Sequence, residues 1–449
     1  MRFLSSLVFC FLCYSLSLAS DTYRAATFGS SVFSDLRRYL PALKDASKHD
    51  VNIVVLPSGD IYTAENYDED VKTLSDLAQQ TNLYIVAHLL EKTQCPNGEE
   101  VVRSNLVFDK EGSIIAVYRK PMNNIANCTF TSKDVTTFTS DFGVTFGLLM
   151  EEDLVLRPPG LKGLKNFVVT GPSQADISFL NANQFAPSWA FINNVNLITS
   201  SAVYAGRSGK VEGQYVDLMK FIEKESNEAP LSSLSSSFTS DDITGFIIRP
   251  VDLNLSPGGY EETVCHESFC CQFYVKTKAG LKQPKMNYYL STFSGIRSFD
   301  KSHDIGTQIC SVFACHQLEK RSCSLGSEIN STVAFEKISI SSNFTTTVNY
   351  PIILTSDESK LFKKFAFHTK PANKTTLAIE NGENLLRITI YGRDFSKDNQ
   401  KYHVDFKDTI NMNVYDYIFN EDVIEFFDYV WIRLRILIIV VSIYVLEMM

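Results

Sequence analysis

Residues 51–57 read VNIVVLP, a largely β-branched run from Val51 to Leu56 that stops at Pro57. Branched side chains favour extended chain, and proline cannot donate to a sheet ladder, so this is a strand with a defined end. Working outward, Phe33 to His49 suits a helix before it. Tyr67 to Gln80 suits another after it, with Val71, Leu74, Leu77 and Ala78 at helical spacing. Leu83 to Leu89 then returns to strand, and Tyr23 to Phe28 supplies one at the start. Asn105–Phe108, Ile114–Tyr118, Phe146–Met150 and Phe167–Thr170 are further strand candidates, and a helix over Asn181–Ile192 feeds the strand Asn196–Ser200. Apolar runs without strict alternation mark strands covered on both faces. The expectation is an α/β layered domain over 21–230.

The character changes after that. SNEAPLSSLSSSFTSD at 226–241 is Ser-rich and punctuated, which places a linker at 231–244. Beyond it, Gln272–Lys276, Tyr288–Phe293, Ser331–Ile340, Phe344–Val348, Thr376–Glu380 and Leu385–Tyr391 suit short strands. A mainly β, disulfide-tied domain over 245–425 is expected. No internal repeat is visible.

The two ends of the chain are apolar and need separate readings. MRFLSSLVFCFLCYSLSLAS at 1–20 has one arginine before an apolar run and small residues Ser17 and Ala19 near its end, the pattern of a signal peptide. A first buried helix would need polar residues at helical spacing, and this stretch has few. The segment 426–449 contains ILIIVVSIYVL at 436–446, which is short for a bilayer span. It fits a GPI-attachment tail in length, although NEDVIEFFDYVW upstream lacks a trio of small residues; a buried terminal strand or helix is the alternative. The chain is therefore expected to be secreted, or held at the cell surface if GPI-anchored.

Of the ten cysteines, eight follow the signal peptide: Cys95, Cys128, Cys265, Cys270, Cys271, Cys310, Cys315 and Cys323. An even number in an exported chain points to disulfides, in any of 105 pairings. Sequons at Asn127, Asn330, Asn343 and Asn373 fit a glycosylated surface, with Asn254 weaker because Pro257 follows its sequon. A net charge of −9 with no basic block argues against nucleic acid, and 12% aromatic residues exclude disorder over most of the chain. His88 and His266 carry no metal spacing, and nothing in the sequence indicates a metal or another cofactor.

Several segments together resemble the vanin and biotinidase family, a secreted or GPI-anchored branch of the nitrilase-like carbon–nitrogen hydrolases. They are TYRAATF at 22–28, IVVLPSGDIY at 53–62, SNLVFDKEG at 104–112, AVYRKP at 116–121 and FGLLMEEDLVL at 146–156. The most specific is VCHESFCC at 264–271, followed by TQICSVFAC at 307–315 and RSC at 321–323. The resemblance covers nearly the whole chain after the signal peptide. It implies a nitrilase-like α-β-β-α sandwich followed by a smaller β-rich, disulfide-containing domain. It also implies cleavage of linear amides, of the pantetheine or biotinyl-lysine type, by a Glu-Lys-Cys triad. There a thiolate attacks the carbonyl, a glutamate carries protons and a lysine stabilises the oxyanion.

Placed on this chain, the resemblance retains only the lysine, Lys120 in YRKP. The family glutamate follows the strand-ending proline, where LPSGD has Ser58. The family cysteine sits in a pattern like GVFTCFDIL, where GLLMEEDLV puts Glu151, with Gly147 and Asp153 keeping the register. A hydroxyl is no general base near neutral pH without a further base beside it. Without the resemblance, Lys120 is a surface lysine and Glu151, Glu152 and Asp153 are a solvated strand end. With it, Glu151 is expected to pair with Lys120 in the old pocket. Cys128 is a poor substitute nucleophile, lying away from the strand end and better suited to a disulfide with Cys95. GPSQ at 171–174 lacks the aromatic that lines the family's substrate pocket, and AGRSGK at 205–210 is a weak Gly-Ser loop signal.

Two functions follow. The first is a catalytically impaired or inactive vanin-like protein binding a small amide ligand or an extracellular protein, attached to membrane if the tail directs it. The alternative is an amidohydrolase with an altered mechanism that uses Glu151 as nucleophile or base beside Lys120.

Overall fold

The computed structural model describes residues 21–400 apart from 30–31, 59–62, 97, 123–134, 157–162, 172–175, 178–179, 221, 223–227, 234–239, 254–255, 279–285, 301–302, 319–321, 325–332, 357–363 and 371–372. The expected signal peptide, the tail at 426–449, Cys128 and the sequons at Asn127, Asn254 and Asn330 lie outside the described residues.

In the first half, the VNIVVL run places strand β2 (Ile53–Val55) between β1 (Thr22–Ala26) and β3 (Tyr84–Cys95), all three parallel. β3 continues antiparallel into β4 (Gly98–Phe108) and β5 (Ile114–Pro121), and Tyr215–Met219 closes the other edge beside β1. A second six-stranded sheet contains β6 (Thr136–Thr139), β7 (Thr145–Leu149), β8 (Asn166–Val169), Asn196–Ile198, Val203–Ala205 and Lys210–Val211.

The helices follow their sequence signals. Helix α1 (Leu40–Lys48) has Pro41 near its start, where its missing N–H costs nothing. Helix α2 (Tyr67–Thr81) opens with Asp68, Glu69 and Asp70, favourable at the positive end of the helix, and stops at Asn82 in the left-handed conformation. Short α3 (Asp153–Leu156) follows β7, and α4 (Ala182–Asn193) follows β8.

Three layers of apolar contact stack these elements. Leu43, Leu74, Leu77 and Ala78 of α1 and α2 pack on Val54, Ile85 and Leu106, the outer face of the first sheet. The opposite face, with Ile53, Val55, Val86 and Tyr118, packs on Phe146, Leu148, Val168 and Ile198 of the second sheet. The far face of that sheet, with Phe167, Val169 and Leu197, packs on Phe185, Trp189 and Ala190 of α4. This is the expected α-β-β-α sandwich, and the two-residue period of each strand sends alternate side chains into its two interfaces.

The second half is a β sandwich. A six-stranded sheet runs Leu231–Ser233, Asn349–Thr355, Leu385–Arg393, His303–Cys315, Asn287–Asp300, Ile247–Pro250. Against it lies a five-stranded sheet of Tyr260–His266, Phe269–Thr277, Phe335–Asn343, Lys374–Gly382 and Lys364–Thr369. The Ser-rich stretch contributes two strands, Leu231–Ser233 and Ser240–Asp242, the latter paired with Ser322–Ser324. All described residues belong to one compact unit ending at Gln400. The halves share a core, in which Phe185 of α4 meets Tyr350 and Tyr391 and Ser188 donates to the Pro351 carbonyl at 2.6 Å.

One expected strand is displaced. Phe344–Val348 is a turn, and the strand runs over Asn349–Thr355 instead. The threonines decide this locally: the Thr346 hydroxyl donates to the Arg393 carbonyl at 2.6 Å and accepts from the Val348 N–H at 3.3 Å, competing with a ladder.

The described disulfides are Cys265–Cys270, Cys271–Cys310 and Cys315–Cys323. The first joins paired neighbours of one hairpin. The second crosses between the two sheets within their common core. Cys95 is also disulfide-bonded. Among the described residues no helix is long and apolar enough to cross a membrane.

Candidate functional site

The antiparallel register of β4 and β5 sets Arg103 directly opposite Lys120 and Asn105 opposite Tyr118. Tyr118 points between the two sheets, and the alternation keeps Lys120 and Arg103 on that same face at the sheet's end. Facing them, the chain leaves β7 at Leu149, turns through Met150–Glu152 and enters α3 at Asp153.

Four charges close on one another there. Glu152 receives both guanidinium arms of Arg103, at 2.8 and 2.9 Å, and the Lys120 ammonium at 3.2 Å. Asp153 lies 2.6 Å from the same ammonium. Asp153 also accepts from the Tyr118 hydroxyl at 3.1 Å and from the Met150 N–H at 2.9 Å, so its carboxylate is fixed from three sides. The cluster is nearly dry: side-chain exposure is 9% at Arg103, 10% at Glu152, 1% at Asp153 and 19% at Lys120. Burial pushes the Glu152 carboxyl up, but the charges and hydrogen bonds of Lys120 and Arg103 outweigh it and hold its pKa below the usual glutamate value. Two cations and two anions leave no net charge.

The partners of Lys120 are therefore Glu152 and Asp153, and the pairing expected of Glu151 falls to its two successors. The strand alternation assumed for this acidic run ends at Leu149. The turn and first helical residue bring consecutive side chains to the same ammonium, which a strand would not do.

Ser58 lies just past β2, where its hydroxyl oxygen accepts from the Gly171 N–H at 3.2 Å. Next to Gly171, Asn105 donates its amide to the carbonyls of Leu149 (2.9 Å) and Thr170 (3.1 Å), so its oxygen faces His88 Nδ1 at 2.6 Å. These bonds tie the interiors of β3 and β4 to the ends of β7 and β8. Among the described residues no group of three or more His, Cys, Asp or Glu side chains is arranged to hold a metal ion. AGRSGK forms a tight turn between Val203–Ala205 and Lys210–Val211.

Arg103 and Tyr118 have no motif of their own. Their signal is the hairpin: counting back from the Asp109–Ser113 turn sets Arg103 across from Lys120, once the one-residue irregularity at Phe108 is allowed for.

A sandwich of this layering, with candidate residues at the strand ends, is that of a carbon–nitrogen hydrolase, and residues 30–154 match that family's model. Residues 238–398 match the vanin C-terminal domain, and the two matches together cover more than half of the chain. The chain belongs to the vanin family of the nitrilase superfamily. Vanin-like protein 3 of Drosophila melanogaster is 27% identical across 58% of this chain and 58% of its own length. The chain thus spans little more than half of that relative. Pantetheinase of Bos taurus is 24% identical across 86% of this chain and 92% of its own. Among solved structures, a nitrilase-superfamily member from Saccharomyces cerevisiae is 21% identical over 46% of this chain and 93% of that chain, with a TM-score of 0.36.

Proposed function

We propose that this vanin-family chain has lost the amide-cleaving chemistry of its relatives and works as an exported glycoprotein, through binding. The observation that carries this reading is the closed cluster of Arg103, Lys120, Glu152 and Asp153. A lysine that stabilises an oxyanion needs its positive charge directed at the developing negative charge. Here two buried carboxylates already hold it, and recruiting it would leave buried Asp153 without a counter-ion, at a cost of several kcal/mol. Glu152 is held at both oxygens, which removes it as a ready nucleophile or base. Ser58, where the resemblance expects a glutamate, brings no carboxylate. The three disulfides among the described residues, with Cys95 bonded as well, fit folding in an oxidising compartment, which supports secretion, with cell-surface attachment if the tail directs it.

The test is amine release from pantetheine-like and biotinyl-lysine-like amides by the glycosylated protein at high concentration, with Lys120→Ala beside it. The expected result is no difference between the two. Turnover that Lys120→Ala abolishes would overturn the reading and make Glu151 the next residue to replace.

A further inference from the structure

Strands Tyr260–His266 and Phe269–Thr277 form a hairpin at one edge of the five-stranded sheet, joined through Glu267 and Ser268. Val264, Cys271, Phe273 and Val275 lie in the core between the two sheets. The two-residue period of a strand then sends Cys265 and its cross-strand partner Cys270 to the opposite, outer face. The next pair on that face, Thr263 and Gln272, is exposed at both residues.

Exposure separates the Cys265–Cys270 disulfide from the others. Among the described cysteines Cys265 alone is exposed, and Cys270 is half-buried. Cys95, Cys271, Cys310, Cys315 and Cys323 are at most 5% exposed.

The hairpin is also held by contacts that do not involve this bond. Phe269–Thr277 pairs on its far side with Phe335–Asn343, and the Ser342 hydroxyl donates to the Cys270 carbonyl at 2.7 Å. The Thr292 hydroxyl donates to the Val264 carbonyl at 3.1 Å. At the tip, the His266 ring accepts from the Ser294 N–H at 2.9 Å and stacks on Phe293. Opening the disulfide therefore leaves the two sulfurs opposite one another, placed to close again.

We propose that Cys265–Cys270 is a surface site of reversible exchange with small thiols of the glutathione class. A thiolate attacks the exposed Cys265 sulfur and forms a mixed disulfide there. The Cys265–Cys270 bond breaks, and its electron pair leaves on Cys270 as a thiolate, which takes a proton from water. A second small thiolate attacks the small-thiol sulfur of the mixed disulfide and releases Cys265, which is protonated in turn. Two small thiols are oxidised to their disulfide and one protein disulfide is reduced. Access governs such exchange, so the buried disulfides are left intact.

Incubating the folded secreted protein with millimolar reduced glutathione, capping with N-ethylmaleimide and mapping the peptides by mass spectrometry tests this. Cys265 and Cys270 are expected to carry maleimide or glutathione about tenfold more than Cys271 and Cys310. Far-ultraviolet circular dichroism is expected to stay unchanged, and oxidised glutathione is expected to restore the bond. Labelling of Cys265 and Cys270 that appears only after urea unfolding would overturn the proposal, as would equal labelling of Cys271 and Cys310. Loss of the sheet signal on reduction would overturn it as well, because the bond would then be holding the hairpin. Amide turnover enters none of these readouts.

Discussion

At the scale of the residue, the site is governed by charge balance in a dry place. Glu152 serves two cations, so Glu152→Gln leaves Arg103 without its carboxylate and Lys120 with Asp153 alone. Breaking a buried ion pair from one side costs about 3–5 kcal/mol, and a loss near 3 kcal/mol is expected in urea unfolding. The pH dependence has a definite sign. The folded pKa of Glu152 lies below its ordinary value of 4.5, so its contribution is complete above that pH and is lost as pH falls through the lower folded value. The variant is therefore expected to show a shallower acid limb than the parent, and equal acid limbs would refute this account. Gly147 poses a steric question. A Cβ there would lie 2.4 Å from Phe167 Cε1, inside the core between the second sheet and α4. Gly147→Ala is expected to destabilise by about 1–3 kcal/mol through overpacking, read as a lowered urea midpoint with an unchanged slope.

At the scale of the element, Arg393 couples the halves. Its guanidinium, side chain 0% exposed, donates to the Val155 carbonyl of α3 at 2.9 Å and to the Gly306 carbonyl, and forms a two-bond pair with Asp398. Gly306 admits this arrangement because a Cβ on it would lie 2.2 Å from the Asp394 carbonyl oxygen. Arg393→Leu is expected to cost about 3 kcal/mol, since it removes the buried counter-ion of Asp398 and the donor to the Val155 carbonyl. It is also expected to speed hydrogen exchange at the α3 amides more than at those of α2, and equal exchange in both helices would show that Arg393 does not hold α3. Elements of this kind mark where sequence reading succeeds and where it stops. The strand ending at Pro57 and the helix over Tyr67–Thr81 were legible because their signals are local: a β-branched run, an apolar stripe and an acidic first turn. Strand His303–Cys315 was not, because Gly306, Thr307 and Gln308 interrupt its apolar run and its burial comes from neighbours distant in sequence. Phe344–Val348 looked like a strand because Phe344 is apolar and buried, while the turn is set by threonine hydroxyls that periodicity does not register. Lys120 stood out only through the resemblance. Arg103 stayed hidden because cross-strand register is a property of the folded hairpin, and the turn after β7 reassigned the acidic partner from Glu151 to Glu152 and Asp153.

At the scale of the molecule, the two halves gain stability by different routes. The first is layered, with helices and sheets supplying three apolar interfaces. The second has two sheets closed over one core, and its cysteines are spent unequally. Cys265–Cys270 spans five residues of a hairpin already held by its own ladder, and Cys265 is exposed. Cys271–Cys310 spans 39 residues and staples one sheet to the other with both cysteines fully buried. Chain-entropy reasoning assigns the long loop about 4 kcal/mol and the short one about 2 kcal/mol. The buried pair also fills core volume. Replacing both Cys271 and Cys310 with alanine is therefore expected to lower stability by at least twice as much as the same change at Cys265 and Cys270. Urea unfolding of the two double variants, each compared with the parent under non-reducing conditions, measures this. An equal loss would mean that the five-stranded sheet is held by its ladders and side-chain packing alone. The crosslink between sheets would then be dispensable to a fold whose halves already share the core of Phe185, Tyr350 and Tyr391.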